Sequence, residues 1–392
     1  MFVTRRLLDR QLQDWLKVAR RRRHRRRRPC NRKRRRNRWP PLLWVDDWNK
    51  GSLVYSLRLE AVVPPPSSAA GSPELFRPCV EPLIRWSEGE EKIEYNDLAA
   101  VSGGGTIVGV VAGSSRRTVV HDGATGAATP GPNLRRSKRR PIMLPIGDDD
   151  DTVLVMKTIT HPRCHCIEAL RRRRKLPGGG GGGWRADALP DPPLERGTHI
   201  MAYFAQGTRA WISLLHEGTF SLDVAAAGSA WRREGTWELP WIGRGILVQE
   251  LGLVIGIARE GMAYTLDDPE HTRQYRHCHV CAVDVVEARP PAVRRVWEIP
   301  AERVDQVVPW EMVSLAHLGN GSFCMARSIE VDVDVPNELG HLYKGRGTSF
   351  TLADVRRLPG ADDDLELVTH GKVQPHVWPW SHYGHASFLQ PA

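Results

Sequence analysis

Apolar and β-branched residues recur along this chain in short runs, each closed by Gly, Asp or Pro. Such runs include Thr106–Ala112, Thr118–His121, Thr152–Met156, Ala210–Leu215 and Thr219–Val224. Further along come Gly245–Val248, Leu251–Ile257, His279–Val285, Ser322–Ala326 and Ser349–Leu352. Runs of roughly five residues, punctuated by turn formers, predict strands. Glu217-Gly218 and Asn320-Gly321 sit between paired runs and predict tight hairpins. Leu8, Leu12, Trp15, Leu16 and Ala19 fall at helical spacing and predict a short helix within residues 1–19, and convincing helices are scarce after residue 40.

The strands form a degenerate repeat. Each copy has a strand ending in an acid, followed by a Trp, a Leu-Pro or Ile-Pro pair, or turn residues. The markers are Asp122, Glu168, Asp223, Asp284 and Asp354, spaced 46, 55, 61 and 70 residues apart. Trp184, Trp231, Trp237 and Trp297 lie downstream of three of them. A period near ~50 residues with four strands per unit fits a kelch-like β-propeller blade. One such sheet cannot bury both faces alone, whereas sheets stacked around an axis bury each face against a neighbour. Trp fills the wedge between blades. The chain from residue 45 onward holds five visible units, and a sixth is expected from both ends. Leu53–Leu59 pairing with His385–Leu389 would close the ring and hide both sheet edges. A pair of β-sheets without circular closure is the alternative.

Several segments resemble a large plant family, expanded in grasses, of kelch-like propeller proteins of unknown function. They include Ser52–Leu59, Arg117–Asp122, Lys138–Pro145, Val153–Met156 and Ile167–Leu170. The similarity is densest from 198 to 330, with Trp211–Asp223, Trp231–Pro240 and Leu315–Arg327. The resemblance implies the propeller and supplies no catalytic residues to carry over. This chain departs from it in an Arg-rich start and an Arg/Gly insertion near 171–183, and no F-box-like helical module precedes the repeats.

Charge divides the chain. The net charge of +11 arises because residues 1–38 hold 18 Lys/Arg and 2 Asp, a net of +16. The remaining residues hold 38 basic and 43 acidic side chains, a net of −5. Residues 20–38 carry 14 Arg/Lys in 19 positions. Like charges at that density repel and leave no apolar face, so a disordered tail is expected over 1–44, with the propeller over 45–392. The tract Arg20–Arg38 reads as a nuclear import signal, as a grip on nucleic-acid phosphates, or as a tail without a role. Six consecutive glycines, 178–183, predict a flexible loop insertion. The most apolar stretch, Gly245–Ala258, is too short to cross a bilayer, and no continuous signal-type apolar region opens the chain. Seven cysteines, an odd number scattered over the chain, do not form a disulfide framework and fit a reducing compartment.

Candidate chemistry is weighed against packing. His161, Cys164, His165 and Cys166, and separately His277, Cys278, His279 and Cys281, could bind zinc. In the second group the spacing lies on a strand, where neighbours face opposite ways, so packing is the better reading of these cysteines. His370, His376, His382 and His385, beside Tyr383, could suit copper but read more simply as a closing strand and turn. Asp148–Asp151 and Asp362–Asp364 lack a calcium-loop spacing. Gly103–Gly109 reads as a hairpin turn, and no nucleophile elbow occurs. The expectation is therefore a monomeric, non-enzymatic interaction scaffold with no catalytic, metal or cofactor residues, in nucleus or cytoplasm. Its rim loops would bind a protein, with the mildly acidic body favouring a basic one. The alternatives are an enzyme with a site in the central channel, or a nucleic-acid-associated protein acting through the tail.

Overall fold

A computed structural model describes residues 42–47, 51–56, 84–85, 87–88, 91–92, 95–101, 105–111, 116–123, 125–138, 141–147, 151–161, 166–172, 183–194, 197–226, 228–259, 277–300, 306–307, 313–336, 342–358, 364–372, 376–378 and 386–389. The tail tract, the expected helix within 1–19 and most of the Arg/Gly insertion lie outside these. Among the described residues every regular element is a strand.

The described strands group around six antiparallel four-stranded cores; the fourth and fifth are joined in one nine-stranded sheet, the sixth sheet carries six strands, and Ser87–Glu88 with Glu91–Lys92 form a separate two-stranded pair. The second sheet runs Tyr95–Val101, Thr106–Val111, Thr118–Asp122, Ala128–Pro130. The third is Pro141–Ile146, Thr152–Lys157, Ile167–Arg172, Trp184–Ala188. The fourth is Thr198–Gln206, Arg209–Leu214, Gly218–Asp223, Arg232–Gly235, and the fifth Trp241–Val248, Leu253–Ala258, His277–Asp284, Ala292–Pro300. A short parallel pairing, Ala202 to Gly243 and Tyr203 to Arg244, joins these two. The sixth is built on Val313–Gly319, Ser322–Pro336, Leu342–Arg357 and Leu365–Lys372. The first sheet combines both ends of the described chain. Ala386–Leu389 pairs with Leu42–Asp47, which pairs with Gly51–Ser56 and then Ile84–Arg85.

Closure therefore occurs, but through a different strand from the one expected. Leu42–Asp47, not Leu53–Leu59, receives the C-terminal strand. Residues 42–44, expected to belong to the tail, are strand residues with buried side chains. Both runs are apolar, and only the pairing partner distinguishes the strand at the seam from the next one outward.

Six apolar clusters prove the ring. One joins the first and second sheets through Leu42, Trp44, Leu98 and Ile107. Others join second to third (Val108, Val153), third to fourth (Leu154, Ile212), fourth to fifth (Phe204, Trp241) and fifth to sixth (Ile255, Phe323). The sixth cluster returns to the first sheet, packing Phe350 and Cys324 against Leu43 and Tyr55. Each sheet thus loses both faces to neighbours, which is the condition that makes sheets this thin stable. This is a β-propeller. The first strand of each sheet lines the axis. Pro141–Ile146 touches Tyr95–Val101 and Thr198–Gln206, and Ala386–Leu389 touches Val313–Gly319 and Tyr95–Val101.

The acid markers prove to be a register device, with one exception. Asp122, Asp223 and Asp354 lie opposite Thr106, Arg209 and Ser322, the first residues of the preceding strand. Asp284 takes the same place in the fifth sheet, one residue beyond the Val254–Val283 pair. Three of them tie down the turn or strand that comes next in the chain. Asp122 accepts from Thr125 N at 2.8 Å, Asp223 from Ala225 N at 3.1 Å, and Asp284 from Arg294 at 2.9 Å. In the third sheet that place belongs to Arg171, opposite Thr152. Glu168 sits three residues earlier, fully buried, in a different role.

Trp184, Trp231, Trp237 and Trp297 do pack against the inter-sheet cores, but only partly buried. The fully buried wedges are Trp211 and Trp241, flanking Phe204 with ring centroids at 5.5 and 5.7 Å. A Cβ on Gly256 would meet Trp241 Cγ at 2.7 Å, so this strand glycine exists to admit the indole.

The expected hairpins resolve unequally. Asn320 (φ 57°) and Gly321 (φ 75°) are both left-handed between the paired Gly319 and Ser322, as a type I′ turn requires. At the other site His216 (φ 62°) takes the turn, and Gly218 (φ 93°) is already paired with Leu214. A Cβ on Gly218 would meet Gly235 O at 2.2 Å. Gly218→Ala therefore combines a disfavoured φ with a backbone clash. It is expected to cost at least about 1–3 kcal/mol, read as a lower midpoint in urea unfolding.

Candidate functional sites in the channel and on the rim

The inner strands of three sheets carry titratable groups that influence one another. Asp97 lies at a bulge near the start of Tyr95–Val101. Its Oδ1 accepts from Leu98 N at 2.8 Å and its Oδ2 from Met143 N at 2.9 Å, the latter on the inner strand of the next sheet. Burial raises its pKa to about 7, against the lowering effect of those two N–H groups and of the Arg244 cation. Tyr203, on the fourth sheet, packs against the third-to-fourth core. Its pKa is pushed up, first by burial and then by the Asp97 charge, with Arg244 opposing. Arg244 is the register partner of Tyr203 on the fifth sheet. Asp97 thus feels the Arg244 charge, and Tyr203 feels both. All three remain partly solvent-exposed. A carboxyl titrating near neutrality can donate or accept a proton, a phenol can donate a hydrogen bond, and a guanidinium can hold an anion.

The sequence reading missed all three residues. Asp97 is followed by the apolar run Leu98–Val101, and only its place on an inner strand distinguishes it from any strand-edge acid. Tyr203 and Arg244 lie some 40 positions apart and meet only because adjacent inner strands pair.

A second arrangement lies where the second and third sheets meet. Residues 116–118 and 131–135 run side by side, with Leu134 N donating to Arg116 O, Gly131 N to Thr118 O (each 2.8 Å) and Thr118 Oγ1 to Pro132 O (2.6 Å). Arg116 Nη1 donates to Arg135 O at 3.3 Å. Arg116, Arg117, Arg135 and Arg136 are all exposed. Beneath them Glu168 and Lys138 form a fully buried ion pair at 2.5 Å. Glu168 also accepts from Arg135 N at 2.8 Å and Arg136 N at 3.4 Å. Burial lowers the Lys138 pKa, and Glu168 pulls it back. One buried carboxylate therefore fixes the backbone that presents two of the arginines.

Of the candidate metal groups, Cys164 and His165 lie outside the described residues. Among the described residues no group of three or more His, Cys, Asp or Glu is placed to hold an ion. Cys166 is disulfide-bonded, which removes its thiolate as a ligand and departs from the expectation of reduced cysteines. Cys278 faces the fifth-to-sixth core and Cys281 the fourth-to-fifth core, diverging as the strand pleat requires. Burial pushes the thiols of Cys278 and Cys324 up, Cys324 to about 12. His370 pairs with Asp354 at 2.8 Å, while His382 and His385 lie outside the described residues. Asp364 faces Arg295 at 3.4 Å, an exposed ion pair. Val101 pairs directly with Thr106, the hairpin expected of the glycine run. Among the described residues a void of about 10 Å³ lies between Ile255, Phe323, Met325 and their neighbours; it is apolar and barely the size of one water. No helix among the described residues is long and apolar enough to cross a membrane.

Residues 41–373 match the family described as "Protein of unknown function (DUF1668)". The chain belongs to that family. No curated protein matches. Among solved structures, it is similar to a provisionally assigned 6-phosphogluconolactonase from Bacteroides fragilis NCTC 9343, at 11% identity and a TM-score of 0.39, covering 93% of this chain and 100% of that one. YjhT is similar at 8% identity and a TM-score of 0.38, covering 85% and 95%. An ancestral GH74 enzyme is similar at 8% identity and a TM-score of 0.31, covering 67% of this chain and 41% of that one.

Proposed function

We propose that this protein is a non-enzymatic interaction scaffold, a kelch-like propeller that holds rim loops rigid for a protein partner. One observation carries the reading. The loop 131–138 is fastened from below by the Glu168–Lys138 pair, yet it spends that order on exposing Arg135 and Arg136 to solvent. Order imposed on an exposed charged loop lowers the entropy lost when a partner docks. The kelch-like assignment rests on the four-stranded units and the recurring Asp at one register position. Pull-down with the full chain at physiological salt, followed by cross-link mapping, tests the scaffold. Cross-links concentrated on residues 116–118 and 131–138 are expected. Capture that maps only to the strands between would count against it.

A second reading, a small-ligand or catalytic site in the channel, is favoured by the Asp97–Tyr203–Arg244 group. A carboxyl raised to about 7 in the folded state, against an ordinary value of 3.8, binds protons that the unfolded chain releases. Its contribution is therefore most favourable below about pH 4 and is lost as pH rises towards 7. Asp97→Asn is expected to remove that slope from the stability-versus-pH profile, measured by urea unfolding between pH 4 and 8. An unchanged slope would place the titrating group elsewhere.

A further inference from the structure

We propose that the rim formed by Arg116, Arg117, Arg135 and Arg136 is a docking surface for an acidic protein segment. The proposal rests on the scaffold reading and names the partner's chemistry. Several exposed arginines elsewhere in the ring are held by carboxylates. Arg185 meets Asp187 at 3.0 Å, Arg294 meets Asp284 at 2.9 Å and Arg356 meets Glu366 at 2.8 Å. The four rim arginines have no carboxylate within ion-pair distance among the described residues. The one acid beneath them, Glu168, is withdrawn from the surface and saturated by Lys138 and two backbone N–H groups. Four like charges held side by side repel, so the arrangement costs stability that a partner's carboxylates would return.

Guanidinium groups suit this role because each can hold a carboxylate through two parallel N–H bonds. The backbone contacts between 116–118 and 131–135 keep the four Cα positions fixed, so the pattern of charges is set before binding. The acidic excess of residues 39–392 pointed to a basic partner for the body as a whole, but docking responds to the local field, which here has the opposite sign. A protein segment fits better than nucleic acid. Duplex DNA carries one charge per about 1.7 Å along its axis and would run past four arginines onto a body whose net charge is −5. None of the four arginines has an aromatic neighbour in the paired loops 116–118 and 131–136 on which a base could stack.

The test uses the full chain, so that its basic N-terminal tract contributes equally to every sample. Fluorescence anisotropy is read for a labelled twelve-residue Glu-rich peptide and for a single-stranded DNA of equal charge, at 150 mM salt. The variants are Arg116→Glu/Arg117→Glu, Arg135→Glu/Arg136→Glu and the quadruple combination, each first shown to melt at the wild-type temperature. The proposal expects the quadruple variant to bind the peptide at least tenfold more weakly, each pair contributing, with DNA binding changed less than threefold. Equal peptide affinity for wild type and quadruple variant overturns it. A larger loss for DNA than for peptide also overturns it, in favour of nucleic acid. Should the peptide result fail while cross-linked partners still map to these loops, the scaffold reading stands and only the acidic-partner assignment falls.

Discussion

Glu168→Gln is expected to destabilise the protein by about 3–5 kcal/mol, the range seen when one member of a buried ion pair is removed. The cost arises from what is left behind. Lys138 is fully buried, and its ammonium would lose the carboxylate that lies 2.5 Å away. Arg135 N and Arg136 N would share one amide oxygen in place of two carboxylate oxygens. The loss has a pH signature. Burial already holds Lys138 below its ordinary 10.5, and without Glu168 it would fall further. The folded state would then bind fewer protons than the unfolded chain, so the variant's stability should rise with pH towards 10 and the deficit should shrink. Replacing both partners together, as Lys138→Met with Glu168→Leu, should recover much of the loss, because no charge remains buried. Urea unfolding of wild type and both variants at pH 7 and 9.5 measures this. A pH-independent deficit in Glu168→Gln would mean that Lys138 reaches solvent.

The buried pair also shows why sequence periodicity reads some features and not others. Strands were legible because sheets that bury both faces need continuous apolar runs, and Val108, Leu154 and Ile255 sit in such runs. Asp122, Asp223, Asp284 and Asp354 were legible because each follows an apolar run at the same register position of its sheet, and a local turn needs a local acceptor. Glu168 fitted the same spacing by coincidence. Its partner is 30 residues away on the linker from the preceding sheet, and no local pattern announces that contact. The channel group was illegible for the same reason. Asp97, Tyr203 and Arg244 come from three sheets, and they meet only because the ring turns their inner strands towards one axis. Position in the ring, rather than residue type, makes them a candidate site.

Deleting residues 386–392 is expected to cost more than any single substitution in one sheet. The strand Ala386–Leu389 is the inner strand of the first sheet, and it is the part of the chain that ties the end of the ring to its beginning. Its removal uncovers the edge of Leu42–Asp47 and takes Leu389, 4% exposed, from the core that holds Leu42, Trp44 and Leu98. Leu389→Ala alone should cost about 2–5 kcal/mol, the usual range for a buried leucine. The truncation adds the four register positions lost between the strands and leaves backbone N–H and C=O groups unpaired. Because every interface in the ring depends on its two neighbours, the damage should spread. Hydrogen exchange should rise in the first sheet and also in the facing strands of the second and sixth, whose cores include Ile107 and Phe350. An open stack would behave differently, losing protection only in the strand next to the cut. The extent of that spread therefore measures how far the circle, rather than each sheet, is the unit of stability.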